Sequence, residues 1–193
     1  MGVEYELKFA ATGQQQQAIK EAFPGPVQEF SMETTYYDTS DGALAKGRIT
    51  LRRRMENGIS VCTLKMPGVG AARGEWDCLK DTIEEAIPEL CKLSGYQQLG
   101  LLTIHGVQPL CGARFTRTAI QLERPDFTAE LALDSGVLLG GGREIPLCEV
   151  ELELKEGSEA ALNDFAAAFA QRFGLRIESK SKFSRAKTLA KGD

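Results

Sequence analysis

Histidine is almost missing from this sequence: His105 is the only one in 193 residues. Chemistry built on an imidazole base therefore has little to work with. No C-x-x-C pair occurs, and Cys62, Cys78, Cys91, Cys111 and Cys148 are scattered singly. An odd, dispersed set argues against a disulfide framework or a zinc site and suits reduced thiols in a cytoplasm. No apolar run approaches the roughly 18 residues that span a bilayer, so no membrane partner is expected. A basic stretch followed by an apolar one is absent from the N-terminus, so no signal peptide is expected. Positive charge is not in surplus either; the net charge of −4 argues against a nucleic-acid partner, which usually needs a basic surface. What remains is the composition of an ordinary globular chain, read as a single cytoplasmic domain over 1–193 and long enough to bury a core.

Alternation is what the sequence has in abundance. In the opening stretch, Val3, Tyr5, Leu7 and Phe9 alternate with Glu4, Glu6 and Lys8. Side chains on a strand point to opposite faces at successive residues, so the apolar groups share one face and the charges the other. Thr12-Gly13 begins a helix that runs to Phe23 and stops at Pro24-Gly25-Pro26. A strand follows over 28–39. A hairpin then forms from 48–55 and 59–66 around Asn57-Gly58, a pair that supplies the positive φ angles of a tight turn. Another strand covers 72–79.

The stretch 81–105 changes period. Thr82-Ile83-Glu84-Glu85 has the form of a capping box, and Ile87, Leu90 and Leu93 have helical spacing, so a helical insertion is expected there. Strands resume over 110–122, 128–138 and 143–155, the last two joined at Gly140-Gly141-Gly142. That glycine run reads as a turn, because no lysine-serine/threonine follows it. C-terminal helices are expected from 158, the first with Leu162, Phe165, Phe169 and Phe173 on one stripe and Gly174 as its stop. A basic tail carries Lys180, Lys182, Arg185 and Lys187.

Collected by strand parity, the charges form two sets. Glu4, Glu6, Glu75, Glu130, Asp134, Glu149, Glu151 and Glu153 are acidic; Lys8, Arg52, Arg54, Lys65, Arg73, Arg117 and Lys182 are basic. Two facings are compatible with that pattern. The charges can cover the outside of a small barrel in the usual way, or they can line its inside. Three glutamates in alternation repel one another across a shared face, a cost that inward facing explains if cations and an anion neutralise the set. Oxygen-only carboxylate clusters suit magnesium or manganese, and clustered arginines and lysines suit phosphate oxygens. A polyphosphate answers both signs. Close carboxylates without metal should strain the fold.

The ordered blocks Glu4-x-Glu6-x-Lys8, Tyr36-Tyr37-Asp38-Thr39, Leu51-Arg52-Arg53-Arg54, Thr63-Leu64-Lys65, Arg73-Gly74-Glu75-Trp76, Arg117, Glu130 to Gly136, Cys148 to Lys155 and Ser181-Lys182 cover nearly the whole chain. They are similar to those of the CYTH family, the triphosphate tunnel metalloenzymes. The resemblance implies an α+β fold: a closed antiparallel eight-stranded β-barrel, a tunnel with a charged lumen, flanked by helices. It also implies Glu4, Glu6, Glu151 and Glu153 as divalent-metal ligands, with Glu149 as a further candidate, and the first four with Lys8 as the catalytic set. Lys8, Arg52, Arg54, Lys65, Arg73, Arg117 and Lys182 become the phosphate grip, and Glu75, Glu130 and Asp134 orient the basic groups. Parity puts Arg53 and Arg114 on the other face and leaves the facing of Lys180 and Arg185 open.

The implied cofactor is magnesium or manganese, and the implied partner is a small molecule carrying a triphosphate. The expected reaction is hydrolysis of a phosphoanhydride bond, with inorganic tripolyphosphate first among substrates. Related readings are a class IV adenylate cyclase, a thiamine triphosphatase, or a polyphosphate- or nucleotide-binding module without turnover. The cyclases' His-Phe pair before the first motif is missing here, and Trp76 faces away from Glu75 by parity, so it is poorly placed to stack on a ligand. The last helix and an apolar outer wall could support a homodimer or be satisfied within one chain.

Overall fold

The computed structural model describes residues 2–67 and 73–192, with side chains described over 5–67 and 74–192. The alternating segments form ten strands: β1 (Gly2–Glu4), β2 (Glu6–Ala10), β3 (Val27–Asp38), β4 (Thr50–Glu56), β5 (Ile59–Pro67), β6 (Arg73–Leu79), β7 (Gln108–Arg124), β8 (Phe127–Gly140), β9 (Arg143–Gly157) and β10 (Arg176–Ile177). All neighbours pair antiparallel. Two of the tight turns follow from chemistry visible in the sequence. Asn57 and Gly58 both take positive φ (48° and 87°), as do Gly141 and Gly142 (58° and 73°), which matches the twist of the strands they join.

The closed eight-stranded barrel implied by the resemblance is not what forms. The ten strands hydrogen-bond in an open order, β1-β6-β5-β4-β3-β7-β8-β9-β2-β10, with β1 and β10 at its ends. The cause lies in the first ten residues, which do not make one strand. The ladder breaks at Tyr5: β1 pairs with β6 through Glu4↔Arg73, while β2 pairs with β9 and β10. No continuous ladder therefore runs round the sheet. The sheet still curls, since β1 and β2 are one residue apart in the chain yet stand first and ninth in that order.

Helices cover the convex, apolar face. Thr12 caps α1 (Gly13–Ala22) in a reciprocal box with Gln15, and Ser158 caps α5 (Glu159–Phe173), which ends at Gly174 in the left-handed region. These two pack Ile19, Leu162, Ala166 and Phe169 on Leu131, Leu133, Val150 and Leu152, the apolar partners of the charged residues of β8 and β9. Burying each such side chain contributes about 1.5–3 kcal/mol. The insertion forms α3 (Ile83–Ser94) and α4 (Gln98–Leu102), after the single-turn α2 (Ala43–Lys46). Ile83, Leu90 and Leu99 close over Leu51, Cys62 and Leu64. Among the described residues no helix is long and apolar enough to cross a membrane.

The basic tail is a helix, α6 (Lys182–Lys191), with Ser181 as its N-cap. It packs into the concave face, where Phe183 and Ala186 meet Met32, Tyr36, Phe115, Leu138 and Leu147. Gly140 makes that approach possible: a Cβ there would lie 2.5 Å from Ala186 O and 2.7 Å from Ala190 N. The concave face thus has an apolar half filled by α6 and a charged half left open.

Candidate functional site

The open half of the concave face is a cavity of about 580 Å³, bounded by β2, β4, β5, β6, β7, β9 and the first turn of α6. Strand period explains its lining. Arg52 and Arg54 alternate with Leu51 and Arg53, and Lys65 with Leu64, so one side of each strand supplies cations to the cavity while the other enters the apolar core. Glu75 accepts from Arg52 at 3.2 Å and lies 2.9 Å from Lys65, so one carboxylate orients two cations. Arg53 turns to the opposite face and donates to Ser60.

Arg54 is a buried cation with little compensation. Its side chain is 11% exposed, its Nε donates to Thr34, and among the described residues it pairs with Glu56 at 3.3 Å. Burial, with the nearby charges of Arg52 and Arg117, lowers its pKa below the ordinary guanidinium value. A bound anion would relieve that unfavourable charge.

Deeper in, β7, β8, β9 and α6 build a compact ion cluster. Arg117 makes a two-pronged contact with Asp134, both bonds 2.8 Å, and also donates to Glu151. Lys182 Nζ lies 2.8 Å from Asp134, 2.5 Å from Glu149 and 2.7 Å from Glu151. Arg185, whose facing was open in the sequence, donates to Glu149. Burial disfavours the charge on Arg117, yet Asp134 and Glu151 outweigh it and raise its pKa well above the ordinary value. Burial likewise opposes ionisation of Glu151, but Lys182 and Arg117 hold its carboxyl below the usual carboxylate range. Lys182 is raised by Glu151 and Asp134 against its burial.

Oxygens of Asp134, Glu149 and Glu151 lie within 4.8 Å of one another, close enough to hold a metal ion. The ammonium of Lys182 already stands among them, and three cations balance the three carboxylates. The strain expected of a bare acidic cluster is therefore relieved from within the chain.

A second group of carboxylates is placed differently. Glu6 pairs in register with Glu153, and Glu153 with Glu130, so the three stand in one row across β2, β9 and β8. Lys8 lies 3.0 Å from Glu6, Lys155 lies 2.8 Å from Glu153, and Arg117 is 3.7 Å from Glu130. Their side chains keep 26–27% exposure, unlike the fully buried Asp134 and Glu149. Among the described residues only Asp134, Glu149 and Glu151 bring three carboxylates within 4.8 Å of one another, so this row is the looser and more open of the two acidic groups.

The structure therefore divides the acidic residues singled out by sequence. Glu6 and Glu153 line the cavity, and Glu130 stands in their row; Asp134, Glu149 and Glu151 form the ion cluster, although Glu151 also reaches the cavity wall. Of the basic residues, Lys8, Arg52, Arg54, Lys65, Arg117 and Lys182 all line the cavity. Glu4 and Arg73 pair in the backbone register, but their side chains lie outside the described residues. Arg114 is exposed and pairs with Glu144 on the surface. Sequence reasoning missed Glu56, Asp77 and Lys155, which also line the cavity. Their signal was present: each is two residues from a charge already chosen. Tyr36 and Phe183, which also line the cavity with their rings tilted at 40° and centroids 5.0 Å apart, carried no such signal, because aromatic residues at these spacings read as core.

The model of the CYTH domain matches residues 2–186. An inorganic triphosphatase of Haemophilus influenzae is 31% identical over 160 residues, which is 82% of this chain and 46% of that protein. The chain thus spans about half the length of this curated relative. Among solved structures, a Hippeastrum protein, HpAC1, described as having a dominant triphosphatase activity, superposes with a TM-score of 0.67 at 18% identity, over 97% of this chain and 96% of that one. The PH1819 protein of Pyrococcus horikoshii gives 0.64 at 18% identity, over 98% and 99%. At these identities the two structures speak to fold alone.

Proposed function

The chain belongs to the CYTH family, and from that premise we propose that it hydrolyses a phosphoanhydride bond of a triphosphate, inorganic tripolyphosphate before nucleotides. The observation that carries this reading is Arg54: a buried guanidinium with a lowered pKa, beside Arg52 and facing the same cavity as Lys65 and Lys8. A buried guanidinium whose charge is disfavoured in this way favours an anionic ligand beside it. The activity of the Haemophilus relative supports the same substrate class.

In this reading Lys8, Arg52, Arg54 and Lys65, with Arg73, grip the phosphate oxygens, and Glu75 holds two of them in place before the ligand arrives. Cations fixed in advance stabilise charge that develops in the transition state without reorganising. Arg117 and Lys182 reach the cavity wall while committed to Asp134, Glu149 and Glu151, so they fix α6 and the floor as well as adding positive potential. Glu6 and Glu153, with Glu4, fit a magnesium or manganese ion, which when bound would neutralise phosphate charge and acidify a water. The lining itself carries nearly balanced charge, so a ligand with several negative charges needs such a counter-cation. Glu130 and Asp134 orient Arg117. The half-buried or buried cysteines have raised pKa values at Cys62, Cys78, Cys111 and Cys148, which suits a mechanism without a thiolate nucleophile.

The test is phosphate release from tripolyphosphate, ATP and thiamine triphosphate, each with magnesium, manganese or EDTA. Tripolyphosphate should be cleaved fastest, and only with metal. Cyclic AMP as the main product from ATP, or no release from any of the three, would overturn the proposal.

A further inference from the structure

The five cysteines look solitary in the sequence, but strand register brings two of them together. Cys62 on β5 and Cys78 on β6 are direct cross-strand partners. Residues opposite each other on antiparallel strands share a face and have Cα atoms about 4.5–5.5 Å apart, within the range a disulfide needs. Both are free thiols, and both sit on the convex side beneath α3, Cys62 fully buried and Cys78 packed against the same apolar cluster but half-exposed. Cys62 Sγ donates weakly to the carbonyls of Lys80 and Thr82, at 3.6 and 3.7 Å, just beyond the end of β6. Its sulfur is therefore directed toward the strand that carries Cys78. Cys91 and Cys111, the other buried cysteines, have no cysteine opposite them in any ladder.

We propose that Cys62 and Cys78 are a reversible dithiol–disulfide site, closed by exchange with a low-molecular-weight disulfide of the glutathione class. The accessible member, Cys78, attacks as thiolate on one sulfur of the small disulfide and releases one small thiolate. Cys62 then attacks the Cys78 sulfur of the mixed disulfide and releases the second. Two protein thiols and one small disulfide become one protein disulfide and two small thiols, with two electrons leaving the protein sulfurs and both thiol protons ending on the released thiols. Only the first step needs access from solvent, and it falls on the half-exposed residue. Burial pushes the Cys62 thiol up to about 11 and raises Cys78 as well; Arg53, Asp81 and Glu84 are the charges near the first, and Glu89, Lys80 and Asp77 those near the second. Few thiolates exist at neutral pH, so the site answers to sustained oxidation rather than to a brief pulse. On the cavity side of the same two strands the neighbouring pairs are Thr63↔Asp77 and Lys65↔Glu75, so closure tethers the wall that carries Lys65.

The experiment incubates the full chain with excess glutathione disulfide, blocks remaining thiols with iodoacetamide, and maps peptides before and after reduction. The expected product is a Cys62–Cys78 cross-linked peptide, with Cys91 and Cys111 alkylated only on unfolding, Cys148 outside any cross-link, and two glutathiones released per chain. Fifteen residues separate the two cysteines, and closing a loop of that size should raise the melting temperature by about 5–10 °C, reversed by dithiothreitol. Cys78→Ser, isosteric at a half-exposed position, should fold normally and show neither the cross-link nor the shift. A stable glutathione adduct on Cys78 with Cys62 still reduced, a cross-link between other cysteines, or no oxidation after prolonged exposure would each overturn the proposal.

Discussion

Arg53 and Arg54 are neighbours in sequence with opposite fates, and the difference is a consequence of the two-residue period of a strand. Arg53 lies over the convex side and satisfies itself with Ser60. Arg54 enters the cavity, where burial and two other guanidiniums work against its charge. A group kept under such conditions costs stability, and residues of that kind are retained for function. Arg54→Met should therefore leave the melting temperature unchanged or higher, while turnover of tripolyphosphate falls about 10- to 100-fold from a lost charged contact of about 1.5–3 kcal/mol. Arg53→Ala should leave turnover within about twofold. The check is steady-state kinetics beside thermal melts of both variants. A loss of activity in Arg53→Ala equal to that in Arg54→Met, with both proteins folded, would show that the facing has no functional meaning.

At the scale of elements, α6 is where the sequence misled most. Residues from Lys180 to Lys187, which lead into it and form its first turns, are mostly polar or basic, and only Lys182 among them was expected to face inward. The apolar contacts that hold it, Phe183, Ala186 and Leu189, are too few to announce a buried stripe. What buries the helix is ionic: Lys182 and Arg185 enter a floor of carboxylates contributed by β8 and β9. Strand parity found those carboxylates, and the resemblance set Lys182 among the inward charges, but nothing in the sequence showed that Arg185 turns the same way. The facing of β4, β5, β8 and β9, by contrast, was legible, because key charges recur two residues apart, as at Arg52 and Arg54 or Glu149, Glu151 and Glu153, with buried apolar residues such as Leu51, Leu64, Val150 and Leu152 on the other face. The break at Tyr5 was not legible, since Val3 to Phe9 alternate as a continuous strand would; only the pairing of the two halves with different neighbours reveals it. Breaking a buried ion cluster by removing one partner costs about 3–5 kcal/mol. Glu151→Gln should thus melt about 6–15 °C lower than the parent in EDTA, because Lys182 and Arg117 lose a shared partner. Lys182→Met should also melt lower, and manganese should recover part of that loss in the variant by entering the vacated triad of Asp134, Glu149 and Glu151. Equal melting of Glu151→Gln and the parent would mean that the cluster does not anchor α6.

For the molecule as a whole, the cavity matters because it is lined from both ends of an open sheet. Lys8 and Glu6 come from β2, near one end of the strand order; Lys65 and Glu75 come from β5 and β6, near the other, and α6 supplies the floor. Among the described residues no ladder hydrogen-bonds those ends, which the chain joins only through Tyr5, so a ligand that bridges them adds a second connection. Anything that binds only the folded chain stabilises it by mass action, by about 2.7 kcal/mol at a hundredfold excess over its dissociation constant. For a chain of this length that amounts to a rise of about 5–10 °C in melting temperature. Tripolyphosphate with magnesium should produce such a rise, and tripolyphosphate with EDTA a smaller one, from the cations alone. Glu153→Gln tests which carboxylates hold the counter-cation. It removes a charge from the row of Glu6, Glu153 and Glu130 but leaves the buried cluster with Lys182 intact, so the variant should melt near the parent in EDTA. With tripolyphosphate it should keep the metal-independent increment and lose the one that depends on magnesium, together with most of the turnover. Differential scanning fluorimetry of both proteins in EDTA, in tripolyphosphate with EDTA and in tripolyphosphate with magnesium, beside phosphate release, separates these contributions. If Glu153→Gln retains the full magnesium-dependent rise, the counter-cation is held elsewhere, and the row across β2, β9 and β8 serves only to position Lys8 and Lys155.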